Sequence, residues 1–340
     1  FFTGYEDSGG DSTGDERNLA GFNWGNVLGR DHQLNYQFMG DDKVNKTTVH
    51  SGSYVVLMPW ANRFTLFGFY QATKADTDPT PTVDYKSHTW QASARYNHSL
   101  PAIGSYVHEA VAGVDFKQTV NNLRFSRQLG FDQSSDVLQW TLGYNSGYGD
   151  PWGRTAFGGN LFWSPGDVTK YNNDESVRAQ RAFAGADYYY ARMTLERVTN
   201  LPADFSWTSR ATYQSSPSGN LLSSEQLGFG GYQSIRGYDE RLVGGDEGYI
   251  LTNELWTPTI SFGDWFGLEN ARDRFQFLGF VDYGVAQNKT LLIGEDPNVA
   301  MLGAGPGLRY SITPYLAVRA DYGFQIKDVV DSGYPSRHGS

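Results

Sequence analysis

The chain has 340 residues, a formal net charge of −10 and no cysteine. The charge leaves no basic face to neutralise phosphates, which argues against a nucleic-acid partner, and the missing cysteines remove disulfides, thiol catalysis and cysteine-ligated metals. No run approaches the roughly 18 apolar residues of a membrane helix, and no signal peptide is visible at Phe1. Mean hydropathy is −0.50, yet there are 40 Gly, 22 Tyr, 21 Phe and 9 Trp. Low hydropathy with many aromatics and glycines fits a transmembrane β-barrel, in which only alternate residues face lipid. It also fits an all-β soluble sandwich or propeller, so composition leaves both open.

In chain order the sequence predicts a short strand over 1–6 and a polar Gly/Asp/Ser loop to about Gly14. Strands over 16–25 and 32–40 follow, then 47–58 and 62–73, joined by Pro59-Trp60-Ala61. An acidic loop at 74–82 leads to strands over 84–98 and 106–119, and a further loop to strands over 134–147 and 154–164. A polar loop at 165–179 precedes strands over 181–197 and 204–214. A long turn-rich interval then runs to about Gly248, followed by strands over 249–257 and 274–285 and a loop at 286–299.

The last two strands are the clearest. Leu302, Ala304, Pro306, Leu308, Tyr310 and Ile312 alternate with Gly303, Gly305, Gly307, Arg309, Ser311 and Thr313. Beyond Thr313-Pro314, Leu316, Val318, Ala320, Tyr322, Phe324 and Ile326 alternate with Ala317, Arg319, Asp321, Gly323, Gln325 and Lys327. Period 2 sustained this long, with charge opposite apolar, suits a strand between lipid and a wet lumen; strands of soluble sandwiches are usually about 5–6 residues. The joining segments also alternate, compact Pro/Gly/aromatic turns on one rim and longer acidic or Gly/Ser loops on the other, as in outer-membrane barrels. Trp60, Trp152 and Trp256 fall at the compact rim, where an interfacial aromatic girdle is expected. The fold class is therefore all-β, a transmembrane antiparallel barrel. Fifteen strands are counted, and because bacterial single-chain barrels close with an even number, a sixteenth is expected after Ser340.

The long interval holds the most unusual stretch, GFGGYQSIRGY over Gly228–Tyr238. Its glycines let the backbone double back and present one cation, Arg236, between Ile235 and Gly237. Together with GYILTNEL (Gly248–Leu255) and FVDYG (Phe280–Gly284), this stretch resembles the transporter proteins of two-partner secretion, the TpsB proteins. These are relatives of BamA in the outer-membrane assembly-and-secretion superfamily. The start of the chain, DSGGDSTGDERNLAGFNWGNVLGRDHQLNYQF, is similar to the start of such a barrel. The resemblance implies 16 strands and a sixth extracellular loop, between strands 11 and 12, that folds into the lumen carrying a V/I-R-G-Y/F motif. In this sequence the motif residues are Gly231, Ser234, Ile235, Arg236, Gly237 and Tyr238. It further implies that the arginine pairs with the aspartate of the F-x-D-x-G strand, here Phe280, Asp282 and Gly284. Residues 1–340 are then expected to be the barrel translocation domain, with the family's N-terminal POTRA modules and plug helix absent from this chain.

Strand parity agrees with an inward Asp282: Phe275, Phe277, Gly279, Val281 and Tyr283 share the apolar face, and Asp282 lies on the other. Glu254, on the parity of Thr252, is a second candidate partner. A guanidinium can engage a carboxylate with two hydrogen bonds, a contact worth about 1–3 kcal/mol in a hydrated lumen. Such a pair could serve transport or only stabilise the barrel.

No catalytic set emerges. His108-Glu109 begins an H-E-x-x-H pattern but Ala112 occupies the second histidine's place. The Gly303–Gly307 run has no helix after it to form a nucleotide site, and no G-x-S-x-G elbow surrounds Ser146 or Ser234. No metal site or cofactor is expected; the acidic stretches 76–84 and 167–175 read as solvated loops. What the resemblance implies is an outer-membrane pore, seated in the lipid bilayer, that exports a large secreted exoprotein of the adhesin or haemolysin type. The alternatives are a BamA-type assembly factor, a barrel protease or lipase, and a diffusion porin that would leave the Arg236 motif unexplained.

Overall fold

A computed structural model describes residues 1–10, 14–44, 46–76, 83–125, 128–265, 273–293 and 296–329. The chain forms one large antiparallel sheet. Its first strands are β1 (Phe2–Gly10), β2 (Gly14–Val27), β3 (His32–Asp41), β4 (Thr47–Leu57), β5 (Arg63–Asp76) and β6 (Val83–Ser99). They continue through β7 (Tyr106–Phe125), β8 (Gln128–Asp150), β9 (Gly153–Pro165), β10 (Asp187–Asn200) and β11 (Ser206–Ser215). Inside the interval that follows, β12 (Leu227–Phe229) and β13 (Val243–Gly245) make a hairpin of their own. The main sheet resumes with β14 (Glu247–Trp256), β15 (Asp273–Gln287), β16 (Asn298–Ile312), β17 (Leu316–Asp321) and β18 (Phe324–Gln325). Each strand pairs with the next, β11 pairs directly with β14, and β17 and β18 both pair with β16 as two pieces of one interrupted strand. Arg236 thus lies between the eleventh and twelfth positions of the sheet.

The fold is a transmembrane antiparallel β-barrel, because the pleat sorts side chains by face. On β15, Phe277 and Val281 are half exposed on the outside, whereas Leu278, Phe280 and Asp282 are buried on the inside. The same split puts Trp140, Leu142, Leu161, Trp163, Leu195 and Trp207 outward. Trp60 and Trp152, exposed at compact turns, are placed as an interfacial girdle requires. Trp256 is not: it points inward, donates from Nε1 to Glu254 at 3.1 Å and carries the Arg309 guanidinium over its ring.

The structure differs from the sequence-based expectation in several elements. β1 runs to Gly10, inside the segment expected as a loop to about Gly14, and Gly10 pairs with Gly14 of β2. Strands β7 and β8 run on through the segment read as a loop at 120–133, pairing Asn121 with Gln133 and Lys117 with Val137. The polar loop at 165–179 contains a helix, α1 (Asp174–Gln180), capped by Asn173 accepting from the Ser176 amide, and β10 begins at Asp187 rather than near 181. The final strand is broken at Tyr322–Gly323. The sixteenth strand expected after Ser340 falls outside the described residues. Two apolar clusters form where intervals fold inward: one joins Val177 of α1 and Leu221 to Tyr188 and Tyr190 of β10, the other joins Phe229, Ile235 and Tyr238 to Ile250, Ala286 and Met301.

Candidate functional site

The interval between β11 and β14 turns back at Gly230, Gly231 and Gly237, with φ of 98°, 91° and 95°. These are left-handed values that only glycine adopts cheaply. Gly231 donates to the Tyr238 carbonyl at 2.9 Å, and Ser234 Oγ donates to the Gly230 carbonyl at 2.6 Å, closing the tip into a compact knot. Ile235 is fully buried in the apolar cluster, so Arg236 has little freedom in where it points.

Arg236 itself is 7% exposed and Asp282 0%. Its Nε donates to Asp282 Oδ2 at 2.7 Å, its Nη2 to Oδ1 at 2.8 Å, and its backbone amide to Oδ2 at 3.2 Å. The Nη1 nitrogen donates to Glu254 Oε1 at 2.7 Å. The ladder explains the convergence. Thr252 lies opposite Asp282 and Glu254 opposite Phe280, so the two carboxylates sit diagonally on one inward face with the Phe280 ring between them. Arg236 Cζ stands 3.6 Å from the centroid of that ring, an arrangement that adds a cation–π attraction to the ion pairs.

The wall opposite the tip is cleared by glycines that sequence reasoning did not assign to the site. A Cβ at Gly303 would fall 2.0 Å from the Arg236 carbonyl oxygen, and one at Gly323 would fall 2.4 Å from the Gly237 nitrogen. The glycine-rich β16 is thus a seat for the loop, and the break between β17 and β18 is where the tip presses on the wall. Tyr238 fastens the same place. Its hydroxyl donates to the Lys327 carbonyl at 2.6 Å, lies 3.0 Å from the Leu302 carbonyl, and accepts from the Leu302 amide at 3.1 Å. Gly284, the last motif residue, leaves room for Ile235, whose Cδ1 would be 2.6 Å from a Cβ there.

Two further contacts pin the interval elsewhere, and neither has a local sequence signal. Glu225, wholly buried, accepts from Lys117 Nζ of β7 at 2.7 Å and from the Tyr190 hydroxyl of β10 at 2.9 Å. Asp246 accepts from both terminal nitrogens of Arg181, which follows α1, and from the amides of Leu221 and Lys289. His108 and Glu109, neighbours on one strand, face opposite sides: His108 meets the Tyr144 hydroxyl outside, and Glu109 meets Arg63, Asn97 and Asn145 inside.

An apolar exterior, an ion-paired interior and a loop folded into the lumen define a bacterial outer-membrane β-barrel. The chain belongs to the haemolysin secretion/activation protein ShlB/FhaC/HecB family, whose profile matches residues 1–310. Among solved structures it is similar to CdiB from Escherichia coli, at 18% identity with a TM-score of 0.77, covering 98% of this chain and 59% of that one. It is similar to CdiB from Acinetobacter baumannii at 16% identity and a TM-score of 0.68, covering 96% of this chain and 55% of that one. BamA from Haemophilus ducreyi lacking POTRA domains 1-3 matches at 15% identity and a TM-score of 0.62, covering 97% of this chain and 67% of that one. The chain therefore spans less than two thirds of either CdiB chain. No curated protein matches it in sequence.

Proposed function

We propose that residues 1–340 are the barrel translocation domain of a two-partner secretion transporter, a non-enzymatic pore that exports a large exoprotein of the adhesin or haemolysin type across the outer membrane. The observation that carries this reading is the three-way contact of Arg236 with Asp282, Glu254 and Phe280 in a chain of the haemolysin secretion/activation family. In it, Arg236 is the residue that holds the inward-folded interval on the barrel wall, and Asp282 and Glu254 are its acceptors. A fixed tip keeps a defined passage beside the loop, and an unfolded chain would pass it without nucleotide hydrolysis. Replacing one partner strands the other without its counter-charge, a change that costs about 3–5 kcal/mol for a buried pair. Arg236→Ala and Asp282→Ala are expected to lower export of the partner exoprotein at least several-fold while the barrel still inserts, as read by its heat-modifiable migration in gels. Equal export by correctly inserted variants would overturn the role given to the pair. Assembly of other barrels is the weaker alternative, supported only by the more distant likeness to BamA; broad loss of outer-membrane proteins on depletion would favour it.

A further inference from the structure

The luminal charges of the wall are unevenly satisfied. From β7 to β17 the described inward carboxylates of the strands, Glu109, Asp115, Glu196, Glu254, Asp282 and Asp321, each accept from an arginine. Four inward arginines of the same wall have no carboxylate partner among the described residues. Arg192 is half-buried and spends its donors on the Gln214 side chain and the Glu225 carbonyl, whereas Arg154, Arg274 and Arg319 have no such acceptor. Their inward direction follows from register. Arg154 shares its face with the buried Ser164, Arg274 with Asp282, and Arg319 lies opposite Arg309, which binds the inward Asp321.

All three are exposed, and with that inward direction they face the lumen. They also lie near the starts of strands that begin at the same rim, the one opposite the long interval. Arg154 and Arg274 are the second residues of β9 and β15, and Arg319 is the fourth of β17. Arg319 reaches towards the loop tip, its guanidinium 4.7 Å above the Tyr232 ring, and with Arg210, Arg236 and Glu254 it lines a cavity of about 300 Å³ beneath that tip. In a chain of net charge −10, three exposed wall guanidiniums near one rim, without a carboxylate partner among the described residues, call for an anionic visitor.

We propose that Arg154, Arg274 and Arg319 form a cationic arc at the periplasmic mouth that captures acidic segments of an unfolded polypeptide as it enters the lumen. The inference rests on the lumen being the conduit. Guanidinium groups left in water keep their full donor set, and contacts with passing carboxylates are weak enough to release them. Overlapping weak contacts suit a chain that must move on.

The test is anisotropy titration of fluorescein-labelled polyglutamate against the purified protein in a zwitterionic detergent, at low and at high salt. Wild type is expected to bind with strong salt dependence, and Arg154→Gln/Arg274→Gln/Arg319→Gln about tenfold more weakly, the product of three exposed contacts of roughly twofold each. Unchanged binding in the triple variant, or equal binding of polylysine by wild type, overturns the arc. In cells the triple variant, normally inserted, is expected to export its partner more slowly; normal export alongside weakened polyglutamate binding overturns the role in entry. Normal export in Arg236→Ala would instead fall on the loop-anchor reading, and the polyglutamate result would still decide the arc.

Discussion

Arg236 spends nearly its whole fork: Nε and Nη2 on one carboxylate, Nη1 on another, and the guanidinium plane against Phe280. A lysine would keep the charge and lose the bidentate geometry and the stacking. Arg236→Lys is therefore expected to behave like Arg236→Ala when protease access to residues 216–246 is measured. Glu254→Gln should be milder, because Glu254 is only partly buried and the glutamine side chain still offers an amide oxygen to Nη1. Glu225 offers a pH test at the other end of the interval. Burial, the largest influence, pushes its carboxyl up, but the Lys117 ammonium and hydrogen bonds from Lys117, Tyr190 and Ser224 outweigh it and leave the carboxyl below its ordinary value. Arg192 also donates to the Glu225 backbone carbonyl, and Asp115 lies nearby on β7. A depressed folded value means that Glu225 stabilises the docked interval fully above the unfolded value of about 4.3, and that the contribution is lost as pH falls through the folded value. Pepsin sensitivity of the interval is expected to rise only below that range, and Glu225→Gln to be sensitive already at neutral pH with any tolerant protease.

At the scale of elements, the hairpins of the wall were legible because lipid and lumen impose opposite demands on alternate residues. The inward positions of Asp282 and Glu254 follow from that parity alone. Legibility ended where the demand ended. Asn121 and Asn122 lie where β7 extends beyond its expected end, with polar residues on both faces, and side-chain hydrogen bonds such as Ser87 to Asn121 join the ladder in holding the strand. Trp256 was misplaced because an aromatic near a turn satisfies either face, and its indole N–H takes a luminal carboxylate. The seat of the loop was illegible for another reason: Gly303 and Gly323 matter for the backbone they admit, and a missing side chain leaves no pattern. Gly323→Ala is expected to unseat the tip and reproduce the protease sensitivity of Arg236→Ala, since every close neighbour of the added Cβ is backbone of Arg236 or Gly237. Gly279→Ala, with open space around it, should be silent in the same assay.

At the scale of the molecule, one strand carries two incompatible environments a residue apart. Val281 faces lipid and Asp282 the ion-paired interior, so the same charge is costly at one position and required at the next. Val281→Arg is expected to destabilise the barrel by about 2–4 kcal/mol if it lies near the bilayer midplane, read from urea titration in lipid vesicles, while leaving the Arg236 contacts untouched.

The contacts that hold the interval also fix when it can be held. Tyr238 meets Lys327 across 89 residues, and Glu225 meets Lys117 across 108. Contacts so distant in sequence are made only after the intervening chain is ordered, because closure entropy must be met first. The wall must therefore zip up around an empty seat, and the interval docks as a late event in the birth of the barrel. In refolding from urea into vesicles, heat-modifiable migration should appear before residues 216–246 gain protection from protease. A newborn barrel would thus pass through a brief, wide-bored infancy before its own loop narrows it.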